Sequence, residues 1–185
     1  SHDETAAVVA KYQAIDKRVN YFCHPSNVGL IANYQYGLSL VNTDFFSFLS
    51  DDDTLLDTFF ETSLDLYQKY PDAAFVATST TIVTKDGKVV RVPLDEWSDE
   101  GLVTPPNGVV ENPTYWDCDF LLQIATMFPF AISKKKCGLF LSHENSYSNH
   151  QDIHRIEQGH QRLISSIERN KKLTPQEINV VKQKL

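Results

Sequence analysis

Three consecutive carboxylates, Asp51, Asp52 and Asp53, close the aromatic run Phe45-Phe46-Ser47-Phe48-Leu49-Ser50. Ionised side by side they repel one another, so a strand end is a costly place for them unless something positive sits there. A hard divalent cation answers that need, because Mg²⁺ and Mn²⁺ take oxygen ligands and share them with substrate phosphates. The same triplet would also serve as a solvated turn that caps the next helix, and the three residues alone leave both readings open. Other clusters carry less. His150 and His154 stand four apart with His160 beyond, a spacing found in zinc helices, but no glutamate occupies the general-base position and the surrounding stretch is polar, which fits a solvated helix face. Cys23, Cys118 and Cys137 are odd in number and widely spaced, so they suggest neither a disulfide framework nor a zinc site. Lys134-Lys135-Lys136 reads as a solvated strand edge or turn. The pairs Phe45-Phe46 and Phe59-Phe60 lack interleaved basic residues and read as core, not as a platform for stacking bases.

The elements that must position the aspartates follow from periodicity. Thr5 or Asp3 can cap a helix through Ala6–Tyr12, and Val19–Cys23 reads as a short strand. His24–Gly29 breaks the pattern, and Leu30–Leu40 returns to helical spacing, with Gly37 inside it suggesting close packing. The run Phe45–Ser50 is short enough for one buried strand, since such strands read as continuous apolar segments. Asp53 or Thr54 then caps an amphipathic helix over Leu55–Tyr70, ended by Pro71. Ala73–Thr78 predicts another buried strand. Thr80–Thr84 and Val89–Val92 flank Lys85-Asp86-Gly87-Lys88, and Asp-Gly between β-branched runs signals a hairpin. Pro93–Pro113 is a long loop rich in Pro and Gly. Trp116–Met127 is helical, Ala131–Leu141 is one strand or two short ones, His150–Asn170 is a long polar helix, and Thr174-Pro175-Gln176-Glu177 caps a last one. Strands alternating with helices predict βαβ units, hence an α/β fold with a mostly parallel central sheet flanked by helices. In such sheets ligands bind at the carboxyl ends of strands, which is where the aspartates are expected.

Composition narrows the classes. A chain of 185 residues that is 42% hydrophobic is long enough for a sizeable core. A net charge of −7 argues against binding along a phosphate backbone, which depends on Lys and Arg clusters. No apolar stretch reaches the ~18 residues a spanning helix needs, and no signal peptide is visible. Together with the cysteine usage this favours a reducing, cytoplasmic compartment.

Four segments then share one likeness. Asn27-Val28-Gly29-Leu30-Ile31-Ala32-Asn33 with Gly37-Leu38, then Phe48-Leu49-Ser50-Asp51-Asp52-Asp53, then Trp116-Asp117-Cys118-Asp119-Phe120-Leu121-Leu122, and finally His143-Glu144-Asn145-Ser146-Tyr147-Ser148 resemble, in order and at plausible spacing, the family 2 glycosyltransferases with the A-type nucleotide-sugar fold. The likeness covers roughly residues 1–150. It implies a Rossmann-like nucleotide-diphospho-sugar transferase domain over 1–149, with a helical C-terminal extension over 150–185. Ser1-x-Asp3-x-Thr5 looks like the tail of the family's D-x-S-x-D-x-T loop, so the family's first strand, helix and second strand, ~35–40 residues by the length of a βαβ unit, are expected before Ser1. The sequence departs from the commoner pattern at Ser50, where the family more often has an aspartate, and at Tyr34, Trp116 and Leu141. Serine followed by three aspartates resembles the subset that transfers deoxyhexoses in surface-polysaccharide assembly.

The resemblance assigns roles. Asp51 and Asp52 match the ribose- and metal-contacting acids, with Asp53 close enough to coordinate instead. Asp117 matches the catalytic base, which must reach the acceptor hydroxyl on the face opposite the leaving group; a plain helix cap is the alternative. Asp119 reads as structural. His143 can contact the diphosphate or metal as a neutral imidazole, or be an ordinary polar residue at a strand end. Ser1, Asp3 and Asn27 can touch the nucleotide edge, though Asn27 beside Gly29 equally fits a turn. The implied function is inverting transfer from a nucleoside-diphosphate sugar to a saccharide or lipid-linked acceptor, assisted by Mn²⁺ or Mg²⁺, in bacterial surface polysaccharide or glycan assembly. A non-catalytic nucleotide-sugar or carbohydrate-binding remnant is one alternative. A nucleotidyltransferase is another, but it usually needs a Gly-rich basic N-terminal loop. The loop at 93–113 and the helices after His150 are the expected acceptor determinants. Lys171, Lys172, Lys182 and Lys184 leave room for peripheral contact with the inner membrane face.

Overall fold

The computed structural model describes residues 3–93, 100–105, 107, 119–144 and 153–184. The chain divides into two compact units, Ser1–Phe48 and Leu49–Leu185.

The first unit contains α1 (Thr5–Ile15) and α2 (Leu30–Ser39). The N-cap of α1 is Glu4, which makes no side-chain cap bond, so neither Thr5 nor Asp3 is the cap expected; Asp3 Oδ1 instead accepts the Thr5 N–H at 3.0 Å. The expected strand at Val19–Cys23 does not form. There, Phe22 stacks on Tyr36 of α2 at 4.3 Å, and His24 stands edge-on to both rings at 4.8 and 5.0 Å. Such ring pairs contribute about 0.5–1.5 kcal/mol beyond their area and need no ladder. The run Phe45–Ser50 is likewise not a buried strand: it lies in no strand, and the Phe45, Phe46 and Phe48 side chains are about half exposed (50, 50 and 47%). Phe48 packs edge-on against Tyr34 at 4.7 Å. A short apolar run specifies burial only when neighbouring strands supply its hydrogen bonds, and period alone does not reveal them. Gly37 corrects a further expectation, since a Cβ added there would meet nothing within 4 Å among the described residues, and none of them packs closely on it.

The second unit contains β1 (Thr54–Leu55), α3 (Phe59–Lys69), β2 (Val76–Thr84), β3 (Val89–Arg91), β4 (Gly101–Val103), α4 (Asp119–Met127), β5 (Phe130–Ser142), α5 (Ile153–Arg169) and α6 (Pro175–Lys184). β5 organises the sheet. It pairs with β2 in parallel along one edge, and its other edge takes β4 near its start and β1 near its end, both antiparallel. β3 extends β2 through the expected hairpin, with Gly87 at φ +79° in the turn. The fold is therefore α/β, but the sheet is mixed and not mostly parallel: among the described strands, β2–β5 is the one parallel pair. A hairpin partner must run antiparallel, and two short strands laid against the free edge of β5 do the same.

Two predicted segments merge and one splits. The expected strands Ala73–Thr78 and Thr80–Thr84 merge into a single β2 that starts only at Val76, because the ladder continues through an irregularity in which Thr78 faces Ser133 but Ser79 faces Lys136. The helix expected over Leu55–Tyr70 gives its first residues to β1 and begins at Phe59, since Leu55 pairs with Gly138 and the Leu56 N–H bonds the Cys137 carbonyl at 2.9 Å.

Alternation along β5 divides the core. Phe130 and Ile132 face one layer with Val103, Leu122, Ala125, Ile167, Leu173 and Val181. Ala131 faces the other with Leu66 and Ala73 of the α3 side. Phe75 stacks on Phe130 at 4.8 Å and 5°. Each fully buried Leu, Ile or Phe contributes roughly 1.5–3 kcal/mol. α6 begins with the expected cap: the Thr174 N–H and Oγ1 both donate to Glu177 Oε2, at 2.7 and 2.8 Å, and the Glu177 N–H returns to Thr174 Oγ1 at 3.3 Å. Among the described residues, no helix is long and apolar enough to cross a membrane.

Candidate functional site

The aspartates stand where two β ladders meet. The Asp53 N–H bonds the Ser50 carbonyl at 3.2 Å, closing a four-residue turn that delivers the chain into β1. β1 then runs antiparallel to the end of β5, with Thr54 facing Leu139. This zipping brings Asp53 and Asp52 alongside the last residues of β5. Asp53 Oδ1 accepts the Leu141 N–H at 3.2 Å, and Asp52 Oδ2 lies 3.1 Å from His143 Nε2. Asp53 thus belongs to the ladder and does not cap the next helix, whose first turn is led by Thr58. Because Thr84, the last residue of β2, pairs with Ser142, the turn lies at the carboxyl end of the parallel β2–β5 pair.

The electrostatics differ along the triplet. Partial burial pushes the Asp53 carboxyl above the usual carboxylate range, and the neighbouring Asp52 and Asp51 push the same way. The Leu141 N–H and Ser50 pull it back in part. Asp51 and Asp52 are exposed, while the His143 ring is largely covered, with 17% of its side chain accessible.

Asp52 and His143 thus offer a carboxylate oxygen and an imidazole nitrogen close enough to meet one ion, and Asp51 adds a second exposed carboxylate to the same turn. Among the described residues no group of three or more His, Cys, Asp or Glu is placed to hold a metal by itself. The donor set fits a divalent ion that completes its shell from a substrate diphosphate and water, the usual habit of Mg²⁺ and Mn²⁺.

The other expected site residues have local partners or lie outside the described residues. Asp3 Oδ1 accepts the Thr5 N–H at 3.0 Å, and Asn27 Oδ1 accepts the Gly29 N–H at 2.8 Å, the turn anticipated as its alternative role. Both belong to the first unit. Ser1, Asp117 and the late segment beyond Glu144 lie outside the described residues, as does most of the 93–113 loop and the side chains of His150, His154 and His160. The helix that follows Asp117 in sequence is firmly held. α4 buries Leu122 and Ala125, and the Asn170 side-chain amide reaches Gln123 Oε1 at 3.0 Å and Thr126 Oγ1 at 2.7 Å.

One participant escaped the sequence reading: the Leu141 backbone N–H, which fixes Asp53. Leu141 had attracted notice only as a position lacking the family's arginine, and a main-chain donor leaves no mark on side-chain pattern.

A family model described as "Glycosyl transferase family 2" matches residues 1–122, more than half of the chain. Neither curated proteins nor solved structures gave a match.

Proposed function

The chain belongs to glycosyl transferase family 2, and on that footing we propose that it moves a sugar, with inversion, from a nucleoside-diphosphate donor to a saccharide or lipid-linked hydroxyl acceptor. Family membership implies a sugar donor, an acceptor and an inverting glycosyltransferase, and the family typically uses divalent metals. One observation carries the finer reading: Asp52 and His143, ninety-one residues apart in sequence, stand 3.1 Å from each other beside the end of a parallel strand pair.

In this reading Asp51 and Asp52 hold the ribose and the divalent ion, with His143 beside them toward the diphosphate. When bound, Mn²⁺ or Mg²⁺ supplies Lewis-acid stabilisation of the charge that grows on the leaving diphosphate. Asp53, tied to the Leu141 N–H, orients the turn and is close enough in sequence to coordinate in place of its neighbours. Asp117 removes the proton from the acceptor hydroxyl as that oxygen forms its bond to the anomeric carbon, on the face opposite the breaking carbon–oxygen bond to the diphosphate. The configuration inverts in that single displacement. The family's deoxyhexose-transferring subset and a role in surface polysaccharide or glycan assembly set the first donors and acceptors to try.

The test separates chemistry from binding. Asp117→Asn in the full-length protein is expected to lower turnover of the nucleotide sugar, scored as transfer or as hydrolysis, by about 10²–10⁴-fold, while donor affinity stays within twofold. Unchanged turnover in this variant would remove Asp117 from the mechanism.

A further inference from the structure

Resting on the reading of the chain as a sugar transferase, we propose a second, non-catalytic site for a neutral saccharide unit in the groove between the C-terminal half of α3 and the starts of β4 and β5. The groove encloses about 450 Å³, within the range of small-molecule sites. Thr62, Asp65, Leu66 and Lys69 recur every three or four residues on α3 and present one face to it. Leu66, on the same side of the sheet as Ala131, gives it an apolar wall.

Its polar groups are held in place. Glu100 Oε1 accepts the Lys134 N–H at 2.9 Å and Ser133 Oγ at 3.1 Å. Those bonds, with the charges of Lys134 and Lys69 behind them, hold the Glu100 carboxyl below its usual range, so the groove carries an oriented carboxylate. Gly101 sits at φ +106°, and a Cβ there would stand 2.9 Å from Tyr70 Oη, so the missing side chain makes room for the phenol. Thr62 also lines the groove; it is 7% exposed, and its buried hydroxyl has no hydrogen-bond partner among the described residues.

The mixture of charges selects the ligand class. An anion would meet Asp65 and Glu100, and a cation would meet Lys69. A sugar hydroxyl both donates and accepts, so one neutral polyol can satisfy carboxylate, ammonium and phenol together. The C–H face of a pyranose ring suits the Leu66 side of the groove. Ile132 and Ser133 stand at the start of β5 and His143 just past its end, some 30 Å of strand apart at roughly 3.3 Å per residue. The groove therefore takes a remote unit of a glycan acceptor, and the donor sugar binds at the other end of the strand.

The experiment titrates the ¹⁵N-labelled full chain with glucose, galactose, rhamnose and N-acetylglucosamine, and in parallel with acetate, methylammonium and glycine. At least one sugar is expected to shift the Gly101, Ser133 and Lys134 amides. Glu100→Gln and Lys69→Met are each expected to weaken that response tenfold or more, and Asp52→Ala to leave it unchanged. Two results overturn the proposal: no sugar moves these amides, or the charged probes move them more strongly than any sugar. No metal-dependent nucleotide binding by the wild type, with the sugar response intact, would instead count against the transferase reading alone.

Discussion

Asp53 is a carboxylate that the fold makes costly to ionise. Partial burial and two neighbouring aspartates raise its folded pKa, so the native state holds that proton more tightly than the unfolded chain does. The sign follows directly. Its contribution to stability is most favourable below the ordinary carboxylate range and is lost as pH rises through the folded pKa. Asp53→Asn removes the charge yet keeps an oxygen for the Leu141 N–H. Its urea midpoint is expected to exceed that of the wild type near about pH 7, with the gain fading toward about pH 3, where both states are protonated. A gain that persists unchanged in acid would contradict this account of Asp53. At this scale the sequence was informative about type and silent about partners. Three adjacent carboxylates announced an electrostatic problem, and Asn27 beside Gly29 announced a turn. That Asp53 is bonded to a backbone N–H and Asp52 lies against His143 depends on how β1 pairs with β5, and two-residue strands leave no periodic trace.

At the scale of elements, the C-terminal helices are structural members of the second unit. Ile167 of α5 and Val181 of α6 are fully buried with Phe130 and Ile132 of β5. Ile167→Ala is expected to destabilise the protein by about 3 kcal/mol, the usual cost of emptying a large aliphatic position in a closed core. Equilibrium urea unfolding checks it, and a loss below about 1 kcal/mol would mean that α5 is not part of this core. These helices were legible in place but not in packing: the α5 sequence is strongly polar and reads as solvated, although Ile167 and the partly buried Leu163 reach the core. Strong local chemistry was legible in full, as at the Asp86-Gly87 hairpin and the Thr174–Glu177 cap. The failures at Val19–Cys23 and Phe45–Ser50 share one cause. Apolar and β-branched residues there satisfied a strand pattern, but strands also need neighbours, and the aromatic side chains found ring partners instead.

At the scale of the molecule, the parallel β2–β5 pair sets the geometry of the proposed chemistry. Strand–helix alternation predicted the α/β class correctly and overstated the parallel content, because it weighs the crossover from β2 to β5 and misses short strands such as β1 and β4 that dock antiparallel on the free edge of β5. The aspartate turn nonetheless lies at the carboxyl end of the parallel pair, since β1 is held against the last residues of β5. The central claim is that this turn binds a divalent ion together with a nucleoside diphosphate. Isothermal titration of Mn²⁺ into the full-length protein, in the presence of UDP, GDP, CDP or dTDP, tests it most directly when wild type and Asp52→Ala are compared. The account predicts metal-dependent binding of at least one nucleotide by the wild type. It predicts an affinity at least about tenfold weaker in Asp52→Ala, with an unchanged circular dichroism spectrum. Equal affinity in the variant, or no metal-dependent binding of any of the four nucleotides by the wild type, would contradict it.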